Sequence, residues 1–205
     1  MRRKISLLAG TGLVLLIAAC SKNKSIPNGG ATSPLTGNYT FLYTKGNINQ
    51  TEQATVLGQS FSAVTNGSFR SISNTGTIQF TADSLIAVGL GYEIDTTFTT
   101  VTSQNGAVIS TSNPAFTQSF PAANSTSDYK VIGTDSVYFP GGALGTGSLT
   151  GGTQVAPPTG GHFVFKGDTL LITSKINQTY PDNFEGVPTT ATAVADVTIV
   201  LLKQN

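Results

Sequence analysis

The chain has 205 residues, of which only 10% are charged, against roughly a quarter in an ordinary globular domain. Its 23 Gly, 19 Ser and 31 Thr exceed a third of the sequence and long runs of helix formers are missing. That composition excludes a helical bundle or coiled coil and leaves one all-β domain. Without Arg2, Arg3 and Lys4, eight basic residues face ten acidic ones and the cations are scattered, so no positive stripe for nucleic acid exists.

Residues 1–19 carry a basic start (Arg2, Arg3, Lys4), then an apolar stretch over 5–19, the layout of a secretory signal. As a helix that stretch spans about 22 Å, short of the roughly 30 Å hydrocarbon core, so it is expected to be cleaved rather than to span. Ile17-Ala18-Ala19-Cys20 resembles the lipobox of bacterial lipoproteins. The resemblance implies acyl chains on Cys20 as the first mature residue, and Ser21 after it implies outer-membrane localisation in the cell envelope. Cys20 is the sole cysteine, so an intramolecular disulfide has no second partner. Each buried acyl methylene adds about 0.8 kcal/mol of membrane affinity. Residues 20–34 form a polar, Gly/Pro/Asn-rich tether that reaches about 20 Å.

From residue 35 the signal is period two. Tyr39, Phe41 and Tyr43 share one parity, as do Phe163 and Phe165, and in the last run so do Ala195, Val197, Ile199 and Leu201. Strands are expected over 35–45, 55–63, 68–73, 77–80, 84–90, 92–101, 107–110, 127–132, 136–139, 162–166, 169–176 and 193–203. Three weak repeats run from an alternating stretch through Asp-Ser/Thr into an aliphatic residue, at Asp83-Ser84-Leu85, Asp135-Ser136-Val137 and Asp168-Thr169-Leu170. Each reads as a hairpin, because Asp and Gly tolerate turn geometry. Their unequal spacing excludes a fixed-period propeller and favours sequential hairpins. Residues 140–161 hold eight glycines and three prolines in 22 positions and read as a long loop.

The run Leu35-Thr36-Gly37-Asn38-Tyr39, the Gly89-Leu90-Gly91-Tyr92 turn, and the hairpins at 129–139 and 167–173 resemble the lipocalin-like domain of Gram-negative envelope lipoproteins. That resemblance covers about residues 35–203. It implies an antiparallel up-and-down meander, over 35–205, that closes into a lipocalin-like barrel. Tyr39 stands where lipocalins carry a Trp, and Lys203 is the cation nearest the last strand. An eight-stranded barrel holds either side chains alone or one small ligand. Inward-pointing Tyr39, Phe41, Tyr43, Phe80, Tyr138, Phe163 and Phe165 would fill it or line a pocket for a small hydrophobic ligand.

Catalytic chemistry is sparse. His162 is the only histidine and no nucleophile elbow or oxyanion loop lies near it in sequence. One histidine is no zinc set, and calcium-loop spacing is absent, so neither metal nor cofactor is expected. Glu93 and Asp95 share a strand face, which paired glycosidase carboxylates also do, but a solvated edge is the plainer reading. The Asp-Ser/Thr-aliphatic triplets also match envelope O-glycosylation sites. The expected function is a non-enzymatic, lipid-anchored, lipocalin-like protein. The competing expectation is a β-sandwich interaction domain that binds a glycan or a protein at the cell envelope.

Overall fold

The computed structural model describes residues 33–141, 159–184 and 187–204, and side chains outside 183–188. The expected signal peptide, Cys20 and most of the expected tether therefore lie outside the described residues, as does most of the Gly/Pro-rich stretch. Among the described residues there is no helix and there are eleven strands. They are β1 (Gly37–Val56), β2 (Gln59–Phe80), β3 (Ser84–Thr97), β4 (Thr99–Gln104), β5 (Ala107–Ser112), β6 (Ala115–Asp128), β7 (Lys130–Ile132), β8 (Ser136–Phe139), β9 (Thr159–Lys166), β10 (Thr169–Phe184) and β11 (Val187–Lys203).

All ladders are antiparallel, in the order β5-β4-β2-β1-β11-β10-β9-β8-β7, with β3 pairing the end of β2 and β6 pairing β3. β2 thus has two partners along one side, β4 at residues 61–66 and β3 at 71–80. This splits the molecule into a curled base and a flatter arm, both threaded by β1, β2, β10 and β11.

The base curls because its apolar face must be covered, and it covers itself. Phe80 of β2 stands edge-on to Tyr39 at 5.7 Å and to Tyr129 at 5.3 Å, and Tyr129 lies 6.4 Å from Phe139 of β8. β2 and β8 are five ladder steps apart, yet one ring bridges them. The expected closed barrel is nevertheless not formed. The edge strands β6 and β7 share no ladder; β7 has only three residues, and Tyr129 between them gives its N–H to the Asp83 carbonyl at 2.8 Å instead.

All three Asp-centred hairpins form, through Phe80↔Leu85, Ile132↔Ser136 and Lys166↔Thr169. Their Asp residues also join each hairpin to a third segment. The carbonyls of Asp83, Asp135 and Asp168 accept from the N–H groups of Tyr129, Phe163 and Lys203 at 2.8, 2.7 and 2.8 Å. The closing strand buries Ala195, Val197, Ile199 and Leu201 as its parity predicts.

Several expectations are corrected. The strand expected over 55–63 contains the turn Leu57-Gly58, whose φ angles of 51° and 78° are those of a tight hairpin. Gly89 to Tyr92 is a bulged part of β3, not a turn. Residues 46–54 and 115–126 are strand, and Thr159 to Gly161 of the expected loop open β9. At the base, the Gly37 Cα faces the Lys203 side chain and the Tyr39 ring, each 3.6 Å from where a Cβ would sit, and its φ of 149° suits glycine.

Candidate functional site: a polar trough outside a filled interior

The interior of the base is occupied by its own side chains. Tyr39, Phe80, Tyr129, Leu35, Ile78, Leu85, Ile94, Leu170, Leu201 and Val137 are fully buried. Phenols there are satisfied: the Tyr39 hydroxyl donates to the Leu35 carbonyl at 2.9 Å, and the Tyr129 hydroxyl donates to the Thr81 carbonyl at 2.6 Å and meets the Ser33 hydroxyl at 2.8 Å. Burial raises the pKa of both above the usual phenol value, and burial alone pushes Tyr92 up to about 12. These bonds also pin the start of the described chain, Ser33 and Leu35, to the base.

The seven aromatic residues expected inside do not all point there. Tyr39, Phe41, Phe80 and Phe163 are buried, and Phe165 sits at the rim, 38% exposed and 6.3 Å from Phe163. Tyr43 is outside. Phe41 pairs with Leu201 and Tyr43 with Val200, so Leu42 is an extra residue that reverses the parity of β1. Thr44 is buried in its place, and Arg70 covers the Tyr43 ring at 3.8 Å. Tyr138 is also outward, since Val137 and Phe139 take the inner face of β8.

The fold brings Ser136 and Asp135 to His162, which the sequence spacing hides. Ser136 Oγ lies 3.4 Å and Asp135 Oδ2 3.7 Å from the same ring nitrogen, Nδ1. A hydrolytic triad needs nucleophile and carboxylate on opposite nitrogens, so this exposed trio cannot relay a proton. Glu93 and Asp95 face solvent and accept from Ser73 and Thr117 hydroxyls at 3.2 and 3.3 Å. Among the described residues no group of three or more His, Cys, Asp or Glu could hold a metal ion.

The arm presents a different surface. On its outer face, register aligns Ser68, Asn47 and Asp196 in one row across β2, β1 and β11, and Asn66, Asn49 and Val194 in the next. With Ile48 and Gly67 these line an open trough of about 470 Å³. Asn49 Nδ2 donates to Asn66 Oδ1 at 2.5 Å, and Asp196 meets Lys175 of the adjacent β10 at 3.9 Å. The floor is held from beneath: the Phe98 ring packs so closely on Gly67 that an added Cβ would lie 2.2 Å from it. The signal for this site is the alternation of Asn47, Ile48 and Asn49, which is legible only once residues 46–54 are read as strand.

No family model matches this chain, and neither the curated proteins nor the solved structures give a match.

Proposed function

We propose that this chain is a non-enzymatic lipoprotein, held at the outer membrane by acyl chains on Cys20, that binds an uncharged oligosaccharide in its outer trough. The observation that carries this reading is the pairing of a filled interior with two aligned rows of amide, hydroxyl and carboxylate groups outside. Amides and carboxylates supply the paired donors and acceptors that vicinal sugar hydroxyls require, without a counter-charge. The curled antiparallel base and the contact of Gly37, Tyr39 and Lys203 at its end support a lipocalin-like ancestry for the scaffold. A small hydrophobic ligand among Tyr39, Phe41, Phe80 and Phe163 would have to displace packed side chains, which disfavours it.

The test is a thermal-shift series with neutral linear oligosaccharides and with fatty acids. Oligosaccharides are expected to raise Tm in the wild type and not in an Asn47→Ala/Asn49→Ala variant of unchanged basal Tm. A shift with fatty acids alone would overturn the trough reading in favour of an interior ligand. Separately, Cys20→Ala is expected to move the protein from the membrane to the soluble fraction, and persistence in the membrane fraction would overturn the anchor.

A further inference from the structure

We infer that Tyr43, Lys45 and Arg70, on the outer face of the sheet, form a binding site for a phosphate or sulfate monoester. The irregularity in β1 builds it: the extra residue Leu42 turns Tyr43 outward, onto the face that carries Lys45. Register then sets Lys45 directly opposite Arg70 of β2, and the Arg70 guanidinium carbon stands 3.8 Å from the centre of the Tyr43 ring. On the other edge of β1, Lys45 faces Thr198 of β11, and Thr198 faces Thr173 of β10 with their hydroxyls 3.0 Å apart. One row across four strands thus offers a guanidinium, an ammonium and two hydroxyls. Tyr43, Lys45 and Arg70 lie beside the trough and outside its lining, so the inference does not rest on that reading.

Two cations directly opposite on neighbouring strands repel, and the arrangement costs stability unless an anion lies between them. Among the described residues the chain supplies none. Ion pairs form at His162–Asp135 and at Lys175–Asp196, and neither Lys45 nor Arg70 has a carboxylate within reach. Asp196, one row along, is engaged by Lys175 on the side of β11 away from β1. On β3, which flanks β2 from Ser71 onward, Asp95 accepts from Thr117 of β6 on the far side, and Glu93 accepts from Ser73.

The ring fixes where the guanidinium stands, while its N–H groups bond to no protein acceptor among the described residues. A guanidinium fork takes two oxygens of one anion, and the ammonium opposite takes a further one. The three terminal oxygens of a phosphate or sulfate monoester meet both demands. A carboxylate, with two, satisfies the fork alone.

Amide NMR of the full-length chain, titrated with inorganic phosphate against chloride at about pH 8 and constant ionic strength, tests this. Saturable shifts are expected at Lys45, Arg70 and Thr198. Lys45→Gln and Arg70→Gln are each expected to weaken binding about tenfold. Tyr43→Leu, which keeps both charges, is expected to weaken it about threefold, and Tyr43→Phe to preserve it. Lys130→Gln, on β7, is expected to change nothing. Glucose 6-phosphate and phosphatidic-acid vesicles, the latter compared with phosphatidylcholine, distinguish a sugar from a lipid as carrier of the group, and tighter binding of either supports the site. Shifts no larger than those with chloride, or a loss in Lys130→Gln equal to that in Arg70→Gln, would overturn it.

Discussion

At the scale of single residues, the base depends on aromatic side chains that touch more than one strand. Tyr129 is the extreme case: it belongs to no strand, packs between Phe80 and Phe139, and bonds to Thr81 and Ser33. Tyr129→Phe removes only the hydroxyl partner and is expected to cost about 1 kcal/mol. Tyr129→Ala also leaves a void and is expected to cost about 3–5 kcal/mol, read as the shift in a denaturant midpoint. Tyr92, with its pKa near 12, adds an alkaline prediction. A raised phenol keeps its proton in the folded state, so stability is intact below pH 10 and declines as pH climbs toward 12. A Tyr92→Phe variant is expected to be less sensitive across that window. Parity made Tyr39, Phe41, Phe80 and Phe163 legible as interior residues. It failed at Tyr43 because one inserted residue, Leu42, turns the strand over, and sequence alternation alone does not mark where a bulge falls.

At the scale of elements, turn chemistry explains both what was readable and what was missed. The Asp hairpins were readable because each turn residue is polar and flanked by alternating runs. The Leu57-Gly58 turn was not, since a fully exposed leucine at φ 51° is an unusual occupant of a position that favours Asn or Gly. Leu57→Asn is therefore expected to stabilise the β1–β2 hairpin by about 0.5–1 kcal/mol, measured as a higher denaturation midpoint. Asn105-Gly106, with φ angles of 50° and 83°, shows the favoured pairing, and Asn105 Oδ1 accepts from the Ser60 N–H at 3.0 Å. Under the trough, Gly67→Ala places its methyl inside the Phe98 ring envelope. The expected loss is about 1–3 kcal/mol, with Phe98 displaced from its contact with Phe116.

For the whole molecule, the division into base and arm sets a gradient of order. The base shares one apolar cluster, whereas the inner face of the arm turns polar at Gln50, Glu52 and Gln178. Hydrogen exchange is expected to separate them, with amides of residues 37–44 and 198–203 opening at higher free energy than those of 50–56 and 187–192. Sequence reasoning reached the all-β, antiparallel sheet because composition and period two both demand it, but not its strand order, in which β4 pairs β2 and β6 pairs β3. It did not reach the open seam, because closure depends on how β6 and β7 meet around Tyr129, a contact between distant surfaces that no local pattern encodes. It also missed the arm segments 46–54 and 177–184, where Asn, Gln and Gly are poor strand formers and pair only because a partner lies on each side.

The twenty residues of β1, about 60 Å when extended, run from the base into the arm past the irregularity at Leu42, and beyond it are laddered on both edges. A pull between the base and the far end of β1 therefore loads those ladders lengthwise, in shear, so their bonds must give way together rather than one after another. The long central ribbon would act as a stiff strut between base and arm.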